Sequence, residues 1–225
     1  QFIELALYDK VNGYYMKKNP FGKEGDFITA PNITRLFSEI IAIWVVTFWK
    51  SIGSPKKFNL VELGAGNGEM MKVIAETLKN FPECFLNCNF QIHEKSEFLK
   101  KKQQINLESE KITWIENIEI TNSFPTIFLA NEFFDALPIK QFFRRKEGWV
   151  ERFVDFKEEE KAEFIEQSTD IKIIEQKLNF EISKDQEVIE YSPGSFEYLN
   201  NICNLIKKND GGILIIDYGY LNFKM

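Results

Sequence analysis

Three glycines at alternate positions, Gly64, Gly66 and Gly68, follow directly on the apolar run Phe58 to Leu63. They precede a segment with Met70, Met71, Ile74 and Leu78 at helical spacing. A strand that stops at glycines and restarts as a helix lets a ligand lie against bare backbone, because glycine tolerates positive φ and carries no Cβ. The first helical turn offers unpaired N–H groups to an anionic group. Glu62, at the carboxyl end of the run, suits the opposite sign, so the expected ligand carries both charges. A second apolar run, Phe90 to Glu94, also ends in an acid. A carboxylate there can accept from both hydroxyls of a ribose, in two charge-assisted bonds of ~1.5–3 kcal/mol each.

A dinucleotide fingerprint reads G-x-G-x-x-G with an acid ~20 residues on. This chain instead has Gly64-x-Gly66-x-Gly68, led by Glu62, with Glu94 somewhat further away. That pattern favours S-adenosyl-L-methionine, and hence a methyltransferase, over a nicotinamide or flavin dinucleotide; a tight turn without a ligand is the plain alternative. Glu116 and Asn117 follow a short third strand and sit where an adenine amino group would be read, or else are ordinary loop polars. The expected cofactor-binding set is Glu62, Gly64, Gly66, Gly68, Glu94, Glu116 and Asn117, with Asn131 at the end of a fourth strand.

The elements that must position these residues alternate along the chain. Strands are expected at 58–63, 90–94, 112–115, 126–130 and 213–218, and the fully apolar fourth is of the parallel type. Helices are expected from Pro31 or Asn32 to Gly53, from the glycine turn to about Asn80 with Pro82 as the stop, over 95–104, and from Pro193 to Lys208 with Ser192 as N-cap. Phe2 to Leu7 reads as a short helix, and 12–31 as turns and loop, including Asn19-Pro20-Phe21-Gly22. Ile139–Phe143 and Trp149–Phe156 flank Lys146-Glu147-Gly148 as a β-hairpin. The acidic stretch 157–163 reads as a solvated turn or helix end, and Ile171–Leu178 and Val188–Tyr191 as further strands. The fold class is α/β, an open and mostly parallel Rossmann-like sheet. Residues 1–56 form an N-terminal loop and helical cap, 57–138 the first part of the core, 139–190 a β-rich insertion, and 191–225 the return to the core.

Composition narrows the function. With 225 residues, 44% hydrophobic and 15% aromatic, the chain has ample material for a packed core. A net charge of −6 argues against a nucleic-acid partner, which needs a basic surface to release counterions. Cys84, Cys88 and Cys203 have neither a disulfide framework nor metal-ligand spacing. His93 is the only histidine, so histidine triads and His-rich metal sites are not expected. The apolar run 36–49 carries Ser38 and Glu39 and falls short of the ~20 residues a membrane span requires.

Several stretches together resemble the MidA-like proteins, which include the mitochondrial methyltransferase that helps assemble respiratory complex I. The matching pieces are Asn12-Gly-Tyr-Tyr15, Pro20-Phe-Gly22 with Gly25-Asp-Phe-Ile-Thr-Ala-Pro31, and Leu36-Phe-Ser-Glu39 leading to Trp44. Val61 to Gly68, Asn131-Glu-Phe-Phe-Asp-Ala-Leu-Pro138 and Gly212 to Gly219 follow in the same order. The resemblance implies a class I methyltransferase fold and, as in its best-understood member, symmetric dimethylation of an arginine on a complex I subunit. Relatives often have proline at position 65 and arginine at 67, where this chain has Ala65 and Asn67. A sheet of this class usually carries two strands after the fifth, so the chain reads as shortened.

An arginine acceptor is a poor nucleophile as the cation and needs carboxylates to hold its guanidinium fork. Glu132, Asp135 and Asp26 are the expected carboxylates, with Asn131 holding the acceptor through its side-chain carbonyl. Phe133 and Phe134 are expected to stack against it and Tyr15, beside Tyr14, to close over the donor. The alternatives are a helix N-cap for Asp135 and core packing for the aromatics. Three functions stay open: a protein-arginine methyltransferase, a methyltransferase for a small molecule or other acceptor, and a non-catalytic S-adenosylmethionine-binding assembly factor. The expected setting is bacterial cytoplasm or, as the alternative, the mitochondrial matrix. A homodimer is one option for the assembly.

Overall fold

The computed structural model describes residues 1–17, 20–22, 25–118, 123–158, 161–182 and 184–219. The chain begins with α1 (Phe2–Tyr8), α2 (Tyr14–Lys17), α3 (Ala30–Ile33) and α4 (Arg35–Ser51). There follow β1 (Phe58–Leu63), α5 (Glu69–Leu78), α6 (Pro82–Asn87), β2 (Cys88–His93), α7 (Glu97–Asn106), β3 (Ile112–Ile115) and β4 (Thr126–Asn131). Then come β5 (Lys140–Arg145), β6 (Gly148–Glu158), β7 (Lys161–Thr169), α8 (Lys172–Leu178) and β8 (Val188–Tyr191). The last two described elements are α9 (Pro193–Asn209) and β9 (Gly211–Ile216).

The central sheet has the order β3-β2-β1-β4-β9, and each neighbouring pair is parallel. The chain steps outward from β1 to β3, then crosses back to β4 and moves the other way. The crevice at the carboxyl ends of β1 and β4 is the switch point where such sheets place ligands. All six residues of β1 are buried, as expected for a parallel strand covered on both faces. Leu60, Ile92, Ile127 and Leu129 face Ile41, Val45, Trp49, Met71 and Ile74 from α4 and α5. Val61, Leu63, Phe128 and Ala130 face the other way, against Ile118 and Ile202 of α9.

A second, antiparallel sheet of order β7-β6-β5-β8 lies between β4 and α9 in the chain. Its own core joins Phe142, Trp149 and Tyr191 to Ile174 of α8.

Four local expectations are corrected. The helix expected over 31–53 breaks at Thr34, which adopts extended backbone and caps α4 by accepting from the Leu36 N–H. Pro82 opens α6 rather than only ending a helix, because its fixed φ suits the first helical position. Residues 171–178 are helical, since Ile171, Ile174 and Leu178 at spacing three and four reach one core, and that period overrides β-branched propensity. The acidic stretch 157–163, of which 159 and 160 lie outside the described residues, as does Asn19 of the earlier turn, carries the ends of β6 and β7. Lys157 and Glu163 pair there at 2.7 Å. Among the described residues no helix is long and apolar enough to cross a membrane.

Candidate functional site

The glycine turn after β1 favours glycine at all three positions, with φ of 63° at Gly64, 55° at Gly66 and 86° at Gly68. A Cβ on Gly64 would stand 2.8 Å from the Phe133 ring, and one on Gly66 would stand 3.3 Å from Phe21. The turn is tied down on several sides. The Gly64 N–H donates to the His93 carbonyl at 2.9 Å. The Asn67 side chain donates to Asn32 at 2.9 Å and accepts from the Glu69 N–H at 3.3 Å, a role that accommodates asparagine at this position.

A cavity of about 450 Å³ opens over this turn. Gly64, Gly66, Glu94 and Lys95 line one side, Glu132, Phe133 and Asp135 another, and Tyr198 of α9 a third. The N-terminal elements close it with a row of rings. Tyr8 stacks on Tyr15 at 5.7 Å and Tyr15 on Phe21 at 6.2 Å between centroids. The Tyr8 hydroxyl donates to the Ala136 carbonyl at 2.9 Å, joining this wall to the loop after β4.

Beside the cavity, a narrow cleft is lined by Glu62, Asn131, Asn67 and the glycine turn. Glu62 is only 3% exposed. Its Oε2 and the Asn131 Oδ1 are buried with no hydrogen-bond partner among the described residues. Burial pushes the Glu62 carboxyl up to about 8, against the N–H of Met71, and the Glu94 charge adds to the rise. Two orphaned acceptors in one cleft fit a ligand that brings hydrogen-bond donors, above all an ammonium.

Glu94 lies just past β2. Burial raises its pKa, while hydrogen bonds from the Ser96 N–H, Gln103 and the Lys95 N–H oppose the rise. His93 contacts the Ile115 carbonyl through Nδ1 at 3.2 Å and the Tyr198 hydroxyl through Nε2 at 2.8 Å. A carbonyl only accepts, so Nδ1 carries the proton and Tyr198 donates to Nε2. Burial lowers the His93 pKa, consistent with this neutral form. Glu116 and Asn117 line a separate cleft of about 190 Å³ that shares His93, Lys95 and Tyr198 with the main cavity.

The loop after β4 is held from β9. The Glu132 N–H donates to the Ile216 carbonyl at 2.8 Å, and Glu132 takes a left-handed φ of 49°. One oxygen of Asp217 accepts from the N–H groups of Phe134 and Asp135, at 3.1 and 3.2 Å. Burial, Asp217 and Glu132 together raise the Asp135 pKa. No helix starts at Asp135, so it is not an N-cap. Phe133 and Phe134 both pack against the cluster with Val61 and Phe128, and of the two Phe133 also lines the cavity. Asp26 is exposed and accepts from the Tyr14 hydroxyl, while its neighbour Phe27 lines the cavity. Among the described residues, Glu62, Glu94, Glu132, Asp135 and Asp217 make no ion pair. The site therefore presents uncompensated acceptors suited to cationic groups.

Sequence reasoning missed Tyr8, Phe21, Tyr198 and Asp217. The acid at the end of the fifth strand marks Asp217. One tyrosine on an amphipathic helix, by contrast, reads as packing.

Residues 40–224 match the family model for S-adenosyl-L-methionine-dependent methyltransferases, Methyltransf_28. The chain is 27% identical to human protein arginine methyltransferase NDUFAF7, mitochondrial, over 98% of this chain and 55% of that protein. It is 30% identical to the protein of the same name from Danio rerio, over 98% of this chain and 58% of that one. A crystal structure from Burkholderia thailandensis bound to S-adenosyl-homocysteine shares the fold, with a TM-score of 0.80 and 22% identity over 97% of this chain and 57% of that one. The chain thus spans somewhat more than half the length of the relatives it matches. With a positive-φ glycine turn, acids at the carboxyl ends of β1 and β2 and a family match over residues 40–224, the chain belongs to the S-adenosyl-L-methionine-dependent methyltransferase family.

Proposed function

We propose that the chain forms the donor-binding core of a protein-arginine N-methyltransferase whose acceptor is a respiratory complex I subunit or its bacterial equivalent. The names of the NDUFAF7 relatives support arginine as the acceptor residue. The observation that carries the reading is that Glu132 and Asp135 line the cavity together and neither makes an ion pair among the described residues.

When bound, S-adenosyl-L-methionine supplies an activated methyl on a sulfonium. Glu94 is placed to accept from the ribose hydroxyls, and Glu62 with Asn131 to accept from the ammonium of the amino-acid end. The glycine turn and the first turn of α5 offer N–H groups to its carboxylate. On the acceptor side, Glu132 and Asp135 hold the guanidinium fork through charge-assisted hydrogen bonds. Asp135, with its raised pKa, takes the proton that the methylated nitrogen releases. Tyr15 and Phe133 exclude water from the cavity between them. Alignment of this kind can lower a barrier by ~7–11 kcal/mol.

The test is methyl transfer from tritiated S-adenosyl-L-methionine to a lysate of the source cells, with mass spectrometry of the labelled product. Label on a protein arginine is the expected result. Label on a small molecule, or donor binding without transfer, overturns the reading. The acceptor sets the compartment, which is bacterial cytoplasm or, as in the names of the NDUFAF7 relatives, the mitochondrion.

A further inference from the structure

α7 reads as a wet helix, with Lys100, Lys101 and Lys102 in succession, yet the next residue is sealed off: Gln103 is 0% exposed. A buried amide is costly unless its hydrogen-bonding groups are matched, and here each has a partner on a different element. The Trp114 indole on β3 donates to Gln103 Oε1 at 2.9 Å. Because an indole N–H can only donate, this bond fixes which end of the amide is oxygen. The amide nitrogen then donates one hydrogen to the Gly66 carbonyl at 2.9 Å and the other to Glu94 Oε2 at 3.0 Å. Two further contacts press α7 on the same turn. Asn106 donates to the Asn67 carbonyl at 2.8 Å, and a Cβ on Gly68 would meet Leu107 at 3.0 Å.

We infer that Gln103 is a positioning residue for the methyl donor, clamping the glycine turn to the ribose-reading carboxylate so that both ends of the donor site keep one geometry. The inference rests on the reading of Glu94 as the ribose acceptor. The Ser96 N–H on Oε1 and Gln103 on Oε2 aim the two Glu94 oxygens, and the Lys95 N–H is a third protein donor to a carboxylate that keeps acceptor capacity toward a ribose hydroxyl. The same amide holds the Gly66 carbonyl, so movement of the turn would move the carboxylate. Gln103 itself touches no reacting atom.

Calorimetric titration of S-adenosylhomocysteine into three proteins tests this, at about pH 5 and about pH 8. Gln103→Met keeps the volume and removes the bonds; it is expected to bind at least tenfold more weakly at both pH values. Gln103→Glu gains a carboxyl that can donate to Glu94 only while it holds its proton. Its protonated form has a single O–H, which can bond Glu94 but not also the Gly66 carbonyl, so its affinity is expected to be weaker than wild type at the lower pH and weaker still, by at least tenfold, at the higher. Glu62, Glu94 and His93 are the titratable groups around the turn; Glu62 and His93 make no bond to Gln103, whereas loss of the Gln103 bond lets the Glu94 pKa rise further, which weakens the variants most at the lower pH. In a Glu94→Gln background, Gln103→Met should add less than its full effect, because the two side chains act as one unit.

Lower melting temperatures with unchanged affinity, or a Gln103→Glu profile parallel to wild type, would reduce Gln103 to packing and overturn the inference. Strong coupling to Glu94 is expected, and a ribose-free probe, methionine, should also bind Gln103→Met more weakly, because the same amide holds the glycine turn. Wild-type protein that binds no S-adenosylhomocysteine would instead sink the donor-site reading itself.

Discussion

Replacing Glu62 by glutamine tests whether the cleft beside the glycine turn is built for a cation. The carboxyl is 3% exposed, one of its oxygens has no partner, and burial lifts its pKa from 4.5 to about 8. A folded-state pKa above the unfolded value favours the fold at low pH. That contribution is complete below about pH 4.5 and is lost as pH rises to about 8. At neutral pH the unfolded chain ionises this group and the ligand-free fold does not, at a cost of about 3 kcal/mol. Glu62→Gln should thus match wild type in denaturant unfolding near pH 4 and exceed it by up to about 4 kcal/mol near pH 8. The same change should weaken S-adenosylhomocysteine binding, because a neutral amide meets the ammonium. In wild type, binding should strengthen with pH by up to about tenfold per unit until about 8, releasing one proton per ligand. Calorimetry in two buffers of different ionisation enthalpy reads that proton directly. Parallel stability curves for the two proteins, together with binding that releases no proton, would refute the reasoning.

Three further perturbations separate the parts of the site. Gly64→Ala places a Cβ 2.8 Å from Phe133 on a backbone with φ of 63°, so it should cost on the order of 1–3 kcal/mol in thermal unfolding and weaken donor binding. Asp217→Ala strips the acceptor from the Phe134 and Asp135 N–H groups, which should lower stability by ~1–3 kcal/mol and cut turnover while the donor Kd stays near wild type. A collapse of donor affinity in that variant would mean the loop after β4 serves the donor. Asp26→Ala should reduce kcat more than donor affinity, and the opposite split, read by single-turnover kinetics with calorimetry, would move Asp26 into the donor pocket.

The donor side was legible in the sequence because its signals are local. Glu62, Gly64, Gly66 and Gly68 lie within one strand-to-helix turn, and Glu94 ends the next strand, so residue type and spacing alone put them at neighbouring strand ends. β4 was legible for a similar reason: its run Ile127 to Ala130 is apolar without interruption and buried throughout. Residues whose roles depend on tertiary placement were not legible. Tyr198 reaches the cavity from α9, 105 residues beyond its partner His93, and nothing around it in the chain marks it. Gln103 sits beside three lysines on a helix that looks wet, and only the packing of α7 on the glycine turn hides it. Phe133 and Phe134 are indistinguishable by type. In the loop that the Asp217 bonds hold, both pack against the core cluster and the first also lines the cavity. The helix at Lys172–Leu178 was misjudged because a short apolar run carries both periods until its partners are known.

The second sheet enters between β4 and α9, where an insertion could have displaced the site but does not. Its first and last strands pair antiparallel, with Lys140 opposite Tyr191, so the chain leaves and returns at one point. The Ser192 hydroxyl closes that point by donating to the Pro138 carbonyl at 3.0 Å while it also caps α9 by accepting from the Ser195 N–H. One residue thus fixes both the neck of the inserted sheet and the start of the helix that carries Tyr198. The sheet's interior, Phe142, Trp149, Ile174 and Tyr191, is separate from the two clusters that pack the parallel strands. Changes within it can reshape the surface beyond the loop after β4 without moving Glu62, Glu94 or the glycine turn. The proposed donor site is held by β1, β2 and α7, all of which precede the second sheet in the chain. Of the proposed site, the acceptor wall, Glu132 to Leu137, is the part continuous with that sheet, which is the arrangement expected if one donor site is to serve different acceptors.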